Sequence, residues 1–184
     1  MTAPEGQKTE FAFGEGGKKK VKLVFWDYAE LVGKISAECL VAAEHWANKI
    51  QRKIWEEYAR SFEIGAIQMR KQSQRYWVQN KGSRVEANIG LIKTYRDPAS
   101  FHAEWESFAA MVNQELTRTC REPVGRAEDF TARLPSGKDF EKNHFVKPDF
   151  TSLEVLTFAE AGFPAGINIP NYDDIRQEMG FKNI

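Results

Sequence analysis

The feature that most constrains this chain is a change of hydrophobic period near residue 74. Before it, Leu31, Ile35, Cys39, Ala42, Trp46 and Ile50 recur at helical spacing, and a second register runs through Ile54, Tyr58, Phe62 and Ile67. Two helices, or one bent one, are expected from about 28 to 73, with Asp27 able to cap the start. Gly65 is a weak point inside that stretch, costing roughly 1 kcal/mol against Ala. Beyond it the period shortens. RYWVQNKG (75–82) reads as a strand ending in an Asn-Lys-Gly turn. In VEANIGLIKTYRDP (85–98) an extended chain puts Val85, Ala87, Ile89, Leu91, Lys93 and Tyr95 on one face, and Pro98 closes the segment. That face begins apolar and ends at a lysine and a tyrosine, as a core strand running into a polar place would.

The rest of the chain alternates again. SFHAEWESFAAMVNQELTRTCRE (100–122) has Phe101, Trp105, Phe108, Val112 and Leu116 on one helical stripe, so an amphipathic helix is expected. Pro123 interrupts it and can open a further helix. PSGKDFEKNHFVKPDF is loop-like. SLEVLTFAEAG (152–162) reads as strand from its Val, Leu, Thr and Phe content, with helix as the alternative. FPAGINIP (163–170) carries two prolines and should be extended and irregular, and NYDDIRQEMGF can cap and start a helix at Asn171. Residues 1–20, rich in Gly, Lys and Glu, read as a flexible tail with a short strand near Phe11 to Phe13. Residues 21–184 follow as one domain or a large piece of one.

Charge and motifs exclude more than they propose. Lys+Arg and Asp+Glu both number 26, so net charge gives no reason to expect a nucleic-acid or membrane partner. Lys18-Lys19-Lys20 fits a solvated terminus, because nothing else is basic. Cys39 and Cys120 make no metal pattern, and two lone thiols suit a reducing compartment. No apolar run reaches the length of a membrane span and no signal peptide is legible, so a cytoplasmic protein is expected. His45, His102 and His144 have no second histidine at ligand spacing. Asp173-Asp174 is the one acidic pair near a plausible site, and adjacent side chains point apart.

Three stretches carry a family resemblance: GINIPNYDDIRQ (166–177), with KPDFTSLEVLTFAEAGFPA before it and GFKN after it; RYWVQNKG; and IGLIKTYRDP. Together with the looser FWDYAELVGKISAECLVAAEHWANK, they resemble the dipeptidyl peptidase III family, the zinc aminodipeptidases of peptidase family M49, over about residues 21 to 184. The resemblance implies an α+β fold, a mixed β core with surrounding helices that forms part of the substrate-binding lobe of a two-lobed peptidase. It implies a peptide substrate, and a zinc ion held by a HExxGH motif on the other, helical lobe. In the family that motif lies downstream of GFKN, so the expectation is a partial chain that itself binds no metal and needs the missing catalytic lobe.

The resemblance also assigns roles. The backbone through Gly166 and Ile167 would pair with a peptide as an added strand, and Arg176 would also bind the substrate. Asn168 and Asn171 match asparagines that hold the substrate near its N-terminus, where an amide offers both donors and an acceptor. Gly166 would let the substrate backbone approach, and Pro170 would stiffen the strand. Tyr95 matches a tyrosine whose hydroxyl donates to the oxyanion of the tetrahedral intermediate. One departure stands out. Where the family has a glutamate that holds the substrate's ammonium, this chain has Lys93, which would repel it. Ser83 and Arg84 also differ from the family's usual residues after Lys-Gly. Two readings follow: the substrate-binding portion of a zinc dipeptidyl peptidase that releases dipeptides from peptide N-termini, or a non-catalytic peptide-binding module or truncated inactive member.

Overall fold

A computed structural model describes residues 8–24, 27–93, 103–141, 147, 149–160, 162 and 164–184. The chain divides into two compact units, Met1–Ser73 and Gln74–Ile184.

The first unit opens with an antiparallel hairpin of β1 (Glu10–Phe13) and β2 (Lys19–Lys22), in which Glu10 faces Lys22. The short strand expected near Phe11 is therefore present, and Lys19 and Lys20 lie on its partner. Helix α1 (Ala29–His45) and helix α2 (Lys49–Ile64) follow, and Ser36 Oγ donates to the Ala59 carbonyl across them at 3.0 Å. Cys39, Ala43, Ile54, Tyr58 and Ala59 are buried in this unit. Asp27 is not the cap of α1; Tyr28, at φ 61°, holds that position without a side-chain cap bond. Asn48 caps α2, accepting from the amides of Ile50 and Gln51 at 2.9 Å each. Gly65 is no weak point within a helix. Its φ of 74° ends α2, and its N–H donates to the Ser61 carbonyl at 2.8 Å, the left-handed termination glycine favours. Helix α3 (Ile67–Gln79) comes next, so the region expected to hold one or two helices holds parts of three.

Helix α3 runs into the second unit and corrects the strand expected at 75–82. Arg70, Ser73, Gln74, Trp77 and Val78 are all buried, and they fall on one stripe only at helical spacing. An extended chain would split Gln74 and Val78 from Trp77. The turn after it is as expected, with Gly82 at φ 70°.

The second unit holds an antiparallel sheet in the order β3 (Val85–Lys93), β4 (Glu104–Val112), β6 (Leu153–Ala159). Strand β4 replaces the front half of the helix expected at 100–122; Phe101 and His102 lie outside the described residues. Glu106, Phe108 and Ala110 alternate inward while Trp105 and Met111 are exposed, as a central strand requires. Helix α4 (Gln114–Gly125) begins only at Asn113, whose side chain accepts from the Leu116 amide at 3.0 Å. Pro123 lies inside the last turn of α4 rather than opening the next helix, which is α5 (Ala127–Thr131).

A second sheet has the order β5 (Asp149–Phe150), β8 (Lys182–Asn183), β7 (Asn168–Ile169), with β5 parallel and β7 antiparallel to β8. Helix α6 (Asp173–Met179) starts two residues after Asn171, which is not its cap; Tyr172 is. Asp173 and Asp174 sit in its first turn, favourable against the helix dipole. The core of this unit is partly polar. Lys182 and Asn88 are fully buried: Lys182 Nζ donates to Glu86 Oε1 at 2.8 Å and lies 4.5 Å from the Trp77 ring centre, and Asn88 donates to Gln74 at 3.0 Å. These bonds tie α3 to β3 and β8, and they satisfy groups that burial would otherwise make costly. Among the described residues no helix is long and apolar enough to cross a membrane.

Candidate functional site

Strand β3 carries a bulge near its end. Leu91 faces Trp105, but the next pair is Lys93 with Glu104, so Ile92 is an extra residue. One inserted residue reverses the alternation beyond it. The face expected to be buried, Val85 through Lys93, is only partly so: Ala87 is buried and Ile89 half-buried, but Val85 and Leu91 are exposed, while Glu86, Asn88 and Ile92 are buried. Because directly paired residues share a face, the bulge moves Lys93 to the side of Glu104 and Glu106.

There Lys93 meets three carboxylates. Its Nζ lies 2.8 Å from Glu106 Oε1 and 3.6 Å from Glu104 Oε2, and it donates a short hydrogen bond to Glu160, which follows the end of β6. The Glu106 and Glu160 side chains are 1% and 7% exposed, and that of Lys93 is 14% exposed. Burial works against the Lys93 ammonium, but the bonds and charges of Glu106 and Glu160 outweigh it and raise its pKa. Burial raises the Glu106 pKa despite Lys93, and contact with Glu160 adds to the rise. Glu160 goes the other way: burial is overcome by hydrogen bonds from Lys93 and Glu106, and its pKa is lowered. The cluster is thus an ion pair, Lys93 with Glu160, beside a carboxyl that burial pushes toward its neutral form.

The segment 166–176 is fastened to this bulge. The Asn171 amide donates to the Ile92 carbonyl at 3.2 Å, and the Tyr172 hydroxyl donates to the Leu91 carbonyl at 3.0 Å. Arg176 donates to Asn171 Oδ1 at 3.1 Å and to the Pro170 carbonyl at 3.4 Å, while its guanidinium lies 4.4 Å from the Phe181 ring centre. Asn171 and Arg176 thereby hold the chain in place. The Ile169–Pro170 peptide is cis.

Strand β7 is an edge. Ile167 exchanges both of its backbone hydrogen bonds with Ile184, at 2.8 and 3.0 Å, and Asn168 faces Asn183. In an antiparallel pair the residue next to a hydrogen-bonded pair turns its own N–H and C=O outward. The backbone groups of Asn168 therefore face away from β8, and its side chain is exposed. A Cβ at Gly166 would meet the Ile184 carbonyl oxygen at 3.4 Å, an ordinary contact, so the pairing with β8 does not itself require glycine there.

The structure thus joins Lys93, Asn171 and Arg176 through the bulge and lays Gly166, Ile167 and Asn168 along one edge; Tyr95 lies outside the described residues. Asp173 and Asp174 do point apart, accepting from Gln177 and Arg75 respectively. Glu104, Glu106 and Glu160 were not singled out by sequence, because glutamates in mixed segments read as surface. Their clue is register: with β4 beside both β3 and β6, residue 106 faces residue 160. Their oxygens lie within 4.8 Å of one another. Such an all-oxygen set holding an ammonium does not suit zinc, which favours nitrogen and sulfur donors in four-coordinate sites.

Comparison with known proteins bears on the family and the fold. The profile of Peptidase family M49 matches residues 2–184. Dipeptidyl peptidase 3 of Dictyostelium discoideum is 45% identical over 164 residues, covering 89% of this chain and 24% of its own length. The Homo sapiens protein of the same name is 46% identical over 158 residues, covering 86% and 21% respectively. The chain thus spans less than a quarter of the curated relatives it matches. Among solved structures, DPP III from Caldithrix abyssi superposes with a TM-score of 0.75 at 19% identity, over 95% of this chain and 34% of that one. At that identity the likeness speaks for the fold, which is the expected α+β arrangement.

Proposed function

This chain belongs to peptidase family M49, and we propose that it forms the peptide-binding wall of a dipeptidyl peptidase, with residues 21–184 as its substrate domain. The observation that carries the reading is the open edge of β7. Asn168 turns a backbone donor and acceptor outward, which lets an extended peptide add as a further strand. Affinity then comes from main-chain bonds and tolerates many side-chain sequences. Asn171 and Arg176 keep that edge at the bulged end of β3 by bonds to Ile92 and Pro170.

Lys93 changes what this wall recognises at a peptide's N-terminus. The carboxylates Glu106 and Glu160 already hold an ammonium, that of Lys93, so they do not compete for a substrate's. Free and N-acetylated peptides should bind alike. Tyr95, two residues beyond Lys93, is proposed as the hydroxyl donor to the developing oxyanion. Zinc, which supplies Lewis-acid activation of water in such peptidases, would be held by residues outside this chain. Two free cysteines support a reducing, cytoplasmic setting.

The test is a calorimetric titration of the chain with one tetrapeptide, free and N-acetylated. The expected result is saturable binding with affinities within about twofold of each other, lost in Asn168→Pro, which removes the outward N–H. A tenfold preference for the free amine would refute the reading of Lys93. Unchanged binding by Asn168→Pro would refute the edge.

A further inference from the structure

At the far end of β4, a cavity of about 230 Å³ opens between Gly82-Ser83 and the first turns of α4. It is lined by Val112, Thr117, Arg118 and Arg121, with Gln114 at its side. Arg118 and Arg121 are three residues apart on one helix, so their side chains share a face. Among the described residues neither forms a hydrogen bond or ion pair. A third guanidinium is bonded to the lining: with the Gln114 amide oxygen turned toward Arg84, Nε and Nη1 of Arg84 lie 3.0 and 2.9 Å from it. Thr117 is 5% exposed; its Oγ1 accepts the Ser152 N–H at 3.0 Å, and its own O–H finds no acceptor among the described residues. Among the described residues no carboxylate lines the cavity. Glu86, bonded to Ser83, is also engaged by Lys182.

A concave site with two uncommitted guanidinium forks, a third cation beside it and a buried hydroxyl donor is matched by a compact anion with several acceptor oxygens. We propose that this cavity binds a phosphate-type oxyanion, either the free ion or a phosphoryl group on a larger molecule. Of the two residues that depart from the family's usual sequence after Lys-Gly, Ser83 lines the cavity and Arg84 is bonded to Gln114 of its lining. The site is separate from the peptide edge. Val112 and Glu104 end a nine-residue strand, so the cavity and the Lys93 cluster are roughly 26 Å apart along it. Failure of either proposal leaves the other standing.

The experiment is an amide chemical-shift titration of the ¹⁵N-labelled chain at constant ionic strength, with inorganic phosphate, O-phosphoserine and chloride in separate arms. Saturable shifts at Gly82, Ser83 and Thr117 are expected with phosphate or phosphoserine and not with chloride. Tighter binding of phosphoserine would identify a phosphorylated side chain as the ligand, and equal or tighter binding of phosphate the free ion. Arg118→Ala/Arg121→Ala should weaken binding at least tenfold. Arg118→Lys/Arg121→Lys, which keeps charge but removes the forks, should weaken it severalfold. Shifts that do not saturate, that chloride reproduces, or that survive both double variants would overturn the proposal.

Discussion

Replacing Lys93 by Met tests whether the acidic cluster is held together by this one ammonium. The substitution keeps most of the side-chain volume and removes the charge that sits 2.8 Å from Glu106 and is bonded to Glu160. Both glutamates are nearly inaccessible, at 1% and 7% exposed, so they cannot turn to water without moving strand ends. Glu104, 34% exposed, can relax outward and counts for little. Removing one partner of a buried pair costs about 3–5 kcal/mol, a large share of the roughly 5–15 kcal/mol that holds a domain folded. The sign with pH follows from the shifts. The lowered pKa of Glu160 contributes stability that is present above its unfolded value and lost as pH falls through its folded one. Without Lys93 that contribution disappears, so the deficit is largest at neutral pH and shrinks as the carboxyls protonate. Urea unfolding at pH 7.5 and pH 3, on either side of the window below the ordinary glutamate value, measures both. Lys93→Met should lose about 3 kcal/mol or more at pH 7.5 and less at pH 3. Adding Glu160→Gln should recover most of the loss. A loss below about 1 kcal/mol, or one that does not vary with pH, would refute the ion-pair account.

Other elements make their own predictions. Asn171→Ala removes the bond to Ile92 and the acceptor for Arg176, and should cost about 1–3 kcal/mol with faster amide exchange through 166–176. Asn48→Ala, which strips the cap from α2, should lower stability by about 1 kcal/mol in the same urea assay. Burial, with the charge of Glu38, pushes the Cys39 thiol up to about 12, so iodoacetamide at pH 8 should label Cys120 well before Cys39, as peptide mass mapping would read. In a longer form that carries the zinc motif, Tyr95→Phe should lower kcat by about 10²–10³ with little change in KM.

The sequence was legible where burial follows hydrophobicity and misleading where it does not. Cys39 in α1, Ile54 and Tyr58 in α2, and the strand at Leu153 follow from apolar period and strand-forming residues, whereas Leu31 and Ile67 at the ends of the expected registers are exposed. The two large misreadings share one cause. In α3 the buried stripe includes Arg70, Ser73 and Gln74, so the helical period was hidden and the β-forming Tyr76, Trp77 and Val78 dominated. In β4 the inward set is Glu106, Phe108 and Ala110, and a glutamate reads as surface until its lysine is known. The bulge at Ile92 has one local clue, Gly90 inside the strand at φ 133°, and it decides which face Lys93 joins. The family resemblance points to the candidate site through motif order, and the three glutamates become visible only through strand register.

The most direct test of the peptide-binding edge is a ¹⁵N amide spectrum of the 184-residue chain titrated with an unlabelled, N-acetylated tetrapeptide. The account predicts saturable shifts centred on Gly166, Ile167 and Asn168, with slowed exchange of the Asn168 amide and no change at β1 or β2. Binding that leaves Asn168 unshifted, or shifts confined to another surface, would contradict it.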